Sequence, residues 1–462
     1  MFGLTIEKAS GVSLTSQLAR QLREAILSGK IEAGAKMPPT RSLAKELGVS
    51  RNTVVQTYEQ LIAEGYLNSV TGSGTFAADI GDPPNLKKRT LETEREYWRE
   101  KEKDVIAFYA GNPDVSSFPR TLWGKALKEA CLYAEDDAFG YGRPEGHPDL
   151  RKAIQGYLYR AKGIYCSSDR IIILPGTAMA IQTVAQLLYR EGCAAAFEDP
   201  CIDFAPNAIK RGGLKTIPVE SDSLGMRTDL LPAGENIRLV YVAPLHQYPL
   251  GGVMPIARRL KLLEFAQQHD AYIIEDDYDS EFRYHGEPIQ SLWNLSDERV
   301  IYLGSFSNVF SPSLRMAYII IPEQLKKSMS GLLGRLNIWV GAIEQIALGR
   351  IIESKQYDRH VYRMKRLYDS KRKLLIDCLK AAFGSRIQIS GELAGLHMLV
   401  TLDRDITEED KKAIADSGVE VDYAEDYAAV KGRFNNKLVL GYGNLGKAQI
   451  EEGVIRLKNA LK

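Results

Sequence analysis

The chain has 462 residues, 45% of them hydrophobic, and a formal net charge of +1. That length suits two or three domains with a sizeable core. The near-zero charge excludes binding to nucleic acid through the overall field, so any such contact must come from a local patch.

No stretch approaches the roughly 20 uninterrupted apolar residues of a membrane span. The opening MFGLTIEKASG lacks the basic and long apolar parts of a signal peptide, so a cytoplasmic setting is expected. The five cysteines (Cys131, Cys166, Cys193, Cys201, Cys378) are scattered and form no CxxC pair, which argues against a disulfide framework and a zinc site. Apolar residues at helical spacing from Leu14 to Leu27 predict a first helix, with Gly29 where it would stop. PPTRSLAKELGVSRNTVVQTYEQLIAEGYL predicts two more around a tight Gly-Val-Ser turn. One is opened by Pro38-Pro39-Thr40 and closed by Gly48, the other is capped by Ser50. YLNSVTGSGTFAAD then alternates as a strand, breaks at Gly72-Ser73-Gly74 and resumes, which predicts a hairpin.

Together these elements predict an α+β winged helix-turn-helix over residues 1–80. Such a motif places the N-terminus of its second helix in the major groove, here Ser50, Arg51, Asn52 and Thr53. Arg offers a fork for guanine, Asn pairs with adenine, and hydroxyls with free helix amides suit phosphate. Arg41 can reach the DNA backbone from the preceding helix. The hairpin tip Gly72, Gly74 and Thr75 has no bulk to hold it away from a groove.

Residues 81–104 begin with two prolines and carry dense charge of both signs, as a linker does. From Val105 onward the strands RIIIL, AAAFE, LVYVAP, YIIED and VIYLGS alternate with amphipathic helices. This predicts a large α/β domain with a mostly buried, largely parallel sheet over residues 105–462. A long helical region near 355–383 precedes RIQIS, LHMLVTL, KLVLGY and a last helix, which predict a smaller C-terminal α+β lobe. Gly176-Thr177-Ala178 follows the strand RIIIL and opens a helix, so its amides suit a phosphate, and Ser305, Ser307 and Arg315 can add hydroxyls and a guanidinium to the same anion. The six histidines, His246 and His285 among them, show no metal-ligand spacing and read as loop or packing residues, so no metal is expected.

Residues 14–77 resemble the GntR-type winged helix throughout PPTRSLAKELGVSRNTVVQTYEQLIAEGYL and GSGTF. Residues 105–462 resemble fold-type I pyridoxal-phosphate enzymes of the aspartate aminotransferase class, on GNPDVSSFP, YGRPEGHPDLR, LPGTAMA, EDP, HQYPLGG, EDDYDSEFRY and SFSNVFSPSLR. The combined layout is similar to the MocR/GabR subfamily of regulators. The resemblance implies a transcription factor that binds double-stranded operator DNA as a homodimer, usually head-to-tail. It further implies that Gly176, Thr177, Ala178, Ser305, Ser307 and Arg315 hold a cofactor phosphate, with Tyr141 reaching it from the neighbouring subunit. By the same resemblance Asp276 pairs with the pyridine nitrogen, while Tyr278 and Gln247 face the ring oxygen.

The resemblance breaks where the family loop reads S-F-S-K, because the lysine that forms the Schiff base is here Asn308. An amide nitrogen, its lone pair delocalised into the carbonyl, is neither nucleophile nor base. EDPCI puts Cys201 and Ile202 where the family has glycine and a ring-stacking tyrosine. Phe204 stands where some members keep an arginine, and Val439 replaces the arginine that grips an amino acid's carboxylate. The expectation is a DNA-binding regulator whose aminotransferase-like domain is catalytically inactive and binds no pyridoxal phosphate covalently. The pocket is left open to non-covalent pyridoxal phosphate, pyridoxamine phosphate or another phosphorylated effector, or to a role in dimerisation alone. The rival expectation is a working aminotransferase with a DNA-binding domain.

Overall fold

The structure, a computed structural model, describes residues 2–7, 11–81 and 104–461. The chain divides into two compact units, residues 1–99 and 100–462. The expected linker lies, apart from its two end residues, outside the described residues.

In the first unit, helices α1 (Leu14–Leu27), α2 (Thr40–Leu47) and α3 (Arg51–Ala63) precede strands β1 (Leu67–Val70) and β2 (Gly74–Ala77), paired as an antiparallel hairpin. Gly48 ends α2 with φ 62°, a left-handed turn that favours glycine. Ser50 caps α3, its side chain accepting from Thr53 N. Leu18, Leu22, Leu43, Val54, Leu61 and Leu67 form the core between the three helices and the hairpin. The segment before α2 joins the wing as a third strip. Met37 N donates to Thr75 O at 2.8 Å and Ala77 N to Ala35 O at 2.9 Å.

The second unit opens with β3 (Ile106–Phe108), α4 (Arg120–Tyr133), α5 (Pro148–Lys162), β4 (Ile171–Leu174), α6 (Thr177–Leu188), β5 (Ala194–Asp199) and α7 (Phe204–Arg211). It continues with β6 (Lys215–Asp222), β7 (Gly225–Met226), β8 (Ile237–Val242), α8 (Ile256–Gln268), β9 (Tyr272–Asp277), β10 (Val300–Ser305) and β11 (Ala317–Ile320). Helices α9 (Glu323–Leu336), α10 (Ala342–Glu353) and α11 (Gln356–Phe383) lead to β12 (Ile387–Ser390), β13 (His397–Leu402), α12 (Glu408–Asp416), β14 (Val419–Tyr423), β15 (Lys437–Gly441) and α13 (Lys447–Ala460).

The large sheet has the order β4-β11-β10-β9-β8-β5-β6-β7. Its pairs from β10 through β9, β8 and β5 to β6 are parallel, and β11 runs antiparallel between β10 and β4. Strands β4, β5, β8 and β9 are buried along their whole length, as a parallel sheet covered by helices on both faces requires. The C-terminal ends of β5, β8, β9 and β10 lie at one edge of this sheet, where open α/β folds gather ligands.

The smaller sheet has the order β12-β13-β15-β14-β3. Sequence reading found β12, β13 and β15 but neither β14 nor the three-residue β3, which pair in parallel, Ile106 opposite Val419. Three residues are too few for a periodic signal. No helix among the described residues is long and apolar enough to cross a membrane.

Candidate functional site

At the edge where β5, β8, β9 and β10 end is a cavity of about 430 Å³. Thr177, Ala178, Cys201, Ile202, Phe204, Asp276, Tyr278, Ser305, Ser307, Asn308 and Arg315 all line it, residues that sequence reading drew from four separate stretches. Four others do not line it: Gly176, Tyr141, Gln247 and Val439.

Gly176 is the N-cap of α6, with φ 89° and no side-chain cap on the helix. The amides of the first turn are therefore left for a ligand. A Cβ on Gly176 would stand 2.7 Å from Arg315 Nη2, so only glycine lets the guanidinium lie over this helix end. Arg315 itself is held at φ 48°, a left-handed conformation that costs about 1 kcal/mol or more for a residue other than glycine. Among the described residues its guanidinium has no hydrogen-bond or ion-pair partner. Ser305 and Ser307 stand beside it on the same wall, Ser307 N donating to Ser305 Oγ at 3.4 Å. Free amides, two hydroxyls and an unpaired cation make a cup for a phosphate-like anion.

Asp276, the last residue but one of β9, lines the cavity and accepts from the Tyr241 hydroxyl at 2.5 Å. Burial raises its carboxyl to about 7, against the Tyr241 bond that favours ionisation, with Asp277 and Asp279 adding to the rise. Glu198, on the neighbouring β5, is pushed to about 8 by burial, although Ala243 N donates to its Oε2 at 2.9 Å. Burial thus disfavours the ionised form of both carboxyls in this cavity. Glu198, Tyr241, Tyr248, Asp279 and His397 are lining residues that sequence reading did not single out. Glu198 stands in the quoted EDP and Asp279 in EDDYDSEFRY, so motif proximity was the available signal. His397 had none.

Asn308 is tied to the scaffold. Its Nδ2 donates to the Tyr278 carbonyl at 3.1 Å. The Tyr278 hydroxyl in turn donates to His246 O at 2.8 Å. No lysine lines the cavity among the described residues.

Gln247 corrects the expectation that it faces the ligand ring. It is fully buried, with Nε2 donating to Pro200 O at 2.8 Å and to Tyr248 O at 2.6 Å and Oε1 accepting from Leu250 N at 3.0 Å. A side-chain amide whose donors and acceptor all bind backbone holds two loops together, and the adjacent Tyr248 presents its ring to the cavity instead. Val439, at the position expected for a carboxylate-gripping arginine, is buried in an apolar cluster with Leu250, Leu399 and Phe434. Tyr141 is 90% exposed beside Trp339, outside the cavity of its own chain.

In the winged helix, Arg41, Ser50, Arg51 and Asn52 are exposed and Thr53 is half-buried. The Ser50 and Thr53 hydroxyls lie 2.8 Å apart, within hydrogen-bond distance, while Arg41, Arg51 and Asn52 make no side-chain bond to other described residues. At the wing tip Gly72 (φ 78°) and Gly74 (φ 115°) are exposed and Thr75 is half-buried. Lys36, which sequence reading passed over, pairs across to Phe76 and lies against Gly74, adding a cation to the wing.

Residues 14–77 match the family model for bacterial regulatory proteins of the gntR family, and residues 103–432 that for aminotransferase class I and II. The probable rhizopine catabolism regulatory protein MocR of Rhizobium meliloti is 32% identical over 99% of this chain and 95% of its own. The pyridoxine biosynthesis transcriptional regulator PdxR of Corynebacterium glutamicum is 32% identical over 94% of this chain and 92% of its own. Among solved structures, a multiple-substrate aminotransferase from Thermococcus profundus superposes with a TM-score of 0.71 at 26% identity, covering 78% of this chain and 92% of that one.

Proposed function

The chain belongs to the MocR/GabR branch of the gntR family of regulators, a DNA-binding transcription regulator with an aminotransferase-type domain, and from that premise we propose that this domain is a catalytically silent sensor that binds a small phosphorylated ligand reversibly. The observation that carries the reading is the contrast inside one cavity. In the phosphate cup of Ser305, Ser307, Arg315 and the α6 amides, the Arg315 guanidinium has no partner among the described residues and α6 has no side-chain cap, while the position for covalent attachment is Asn308, its amide bonded to the Tyr278 carbonyl.

Pyridoxal phosphate suits the part of the site that binds and not the part that reacts. When bound, it supplies an electrophilic aldehyde on an electron-withdrawing ring. The α6 amides, the two serines and Arg315 would hold its phosphate, and the Asp276 carboxyl, bridged to Tyr241, would meet its ring nitrogen. Asn308 offers neither a nucleophile nor a base, and with Val439 buried elsewhere no guanidinium from that position grips an amino acid's carboxylate. Pyridoxamine phosphate or another phosphorylated metabolite satisfies the same contacts.

Arg51, Asn52, Ser50 and Thr53 read operator DNA in this proposal, with Arg41 and the wing residues Gly72, Gly74 and Thr75 on its backbone. The protein acts in the cytoplasm as a homodimer. Tyr141, exposed and outside its own cavity, supports a head-to-tail arrangement in which it completes the partner's phosphate cup.

The test is incubation of the full chain with pyridoxal phosphate, followed by borohydride. Unaltered protein gains thermal stability, about 2.7 kcal/mol at a hundred times the dissociation constant, and carries no label after reduction and denaturation. Asn308→Lys becomes labelled. Labelling of the unaltered protein, or turnover of an amino donor with a keto acid, sinks the silent-sensor reading.

A further inference from the structure

Away from the phosphate cup, Asp279 after β9 and His397 at the start of β13 line the cavity, and His246, in the loop after β8, stands beside Asp279 without lining it. All three are at most 2% exposed, and their ligand-type atoms lie within 4.8 Å of one another. We propose that His246 Nδ1, an Asp279 carboxylate oxygen and His397 Nε2 form a site for a divalent metal of the zinc class, with its fourth position open to the cavity. There the metal takes a carboxylate or similar anionic group of the bound small molecule, a role that rests on the sensor reading above. The three-ligand site itself does not.

Four observations carry it. First, His397 Nε2 is buried without a hydrogen-bond partner, which leaves that nitrogen available to offer a lone pair as a metal-ligating histidine does. Second, His246 Nε2 lies 3.2 Å from the Gly391 carbonyl and Nδ1 3.0 Å from Asp279 Oδ2, with the Tyr278 hydroxyl 3.1 Å from the same Nδ1. A neutral ring has one N–H for these two oxygens, so a second proton or a metal is needed to satisfy both nitrogens. Metal binding replaces the contact between Nδ1 and Asp279 with two coordinate bonds and releases the proton held there to solvent.

Third, Gly395 packs against the group so closely that a Cβ would stand 2.1 Å from Asp279 Oδ2 and 2.4 Å from His246 Cε1. Its φ of 73° also favours glycine. Fourth, Arg315 is the one lysine or arginine lining the cavity among the described residues, and it stands over the α6 N-terminus. A ligand carboxylate therefore lacks a guanidinium, and a metal supplies the missing charge. Two nitrogens and one oxygen with a vacant fourth position match zinc with an exchangeable ligand.

The test uses the full chain stripped with a chelator and titrated with Zn²⁺ against a chromophoric competitor. One equivalent per chain is expected, and His397→Gln should weaken that binding by about a hundredfold or more. Co²⁺ in the unaltered chain should give the visible bands of a four-coordinate nitrogen and oxygen site. Absence of stoichiometric binding, equal binding by His397→Gln, or a sulfur-to-metal charge-transfer band each overturns the proposal. If His397→Gln fails to fold, the Co²⁺ spectrum decides alone: the expected bands uphold the site and their absence overturns it. Pyridoxal phosphate stabilisation measured beside Zn²⁺ titration separates the two readings. Zinc bound without a pyridoxal phosphate effect sinks the sensor and leaves the metal site, and the reverse sinks the metal site alone.

Discussion

Two helix N-termini in this chain, each proposed to meet an anion, are built in opposite ways. At α3, Ser50 caps the helix, its Oγ accepting from Thr53 N at 3.1 Å, and Arg51 and Asn52, the proposed readers of DNA, are exposed. At α6, Gly176 supplies no side-chain cap and Arg315 lies over the opening. The capped end is complete by itself, so its contacts depend on side chains that vary with the sequence to be read. The uncapped end leaves amides that a bound anion must satisfy. The two surroundings differ as well. The described core of the winged helix buries no carboxylate, whereas the cavity unit buries Glu198, Asp276 and Glu275.

That difference predicts the largest effect. Glu198 is raised from 4.5 to about 8, Asp276 to about 7 and Glu275 to about 7, burial being the first cause of each. A carboxyl whose pKa is higher in the folded than in the unfolded chain makes the unfolded state lose its proton first, so stability falls as pH rises between the two values. Melting of the second unit should therefore decline from about pH 5 to pH 8, by a few kcal/mol in all, while the winged helix stays level over that window. Glu198→Gln should flatten part of the slope. A second unit whose melting does not change across that window would break the contrast.

The next effect lies at the uncapped end. Removal of a guanidinium from a phosphate costs about 1.5–3 kcal/mol, so Arg315→Ala should weaken binding of pyridoxal phosphate roughly tenfold to a hundredfold. Calorimetry measures it directly. Unchanged affinity would mean that the cup is not where the phosphate sits.

The winged helix was legible almost residue by residue, because its signals are local: the Leu14–Leu27 period, the Gly48 stop and the Ser50 cap each act within one turn. The large sheet was legible from its buried apolar runs, which announce strands without needing their partners. Strand β3 was not, because its place beside β14 depends on pairing across most of the chain. The cavity divided in the same way. Ser305, Ser307, Arg315 and Asp276 sit in recognisable stretches and do line it. Gln247 shares such a stretch but turns its amide inward to three backbone partners, and motif position does not specify side-chain direction. His397 meets His246 only because β13 folds back across the cavity, with ring centroids 4.9 Å apart, a proximity no local spacing encodes.

The smallest effects separate reading from capping within α3. Arg51→Ala removes an exposed side chain with no bond to other described residues, so the winged helix should melt as before while specific DNA loses about 1–3 kcal/mol of binding and base preference relaxes at one position. Ser50→Ala does the reverse in the free protein. The Thr53 amide loses its acceptor, and the first unit should lose about 1 kcal/mol of stability. On DNA, a phosphate next to that amide can take over the vacated acceptor role, so part of the loss should be recovered in the complex. Thermal melting with and without operator duplex measures both terms. If Ser50→Ala costs the same bound and free, the α3 N-terminus does not face a phosphate, and the contrast with α6 reduces to one anion site and one ordinary cap.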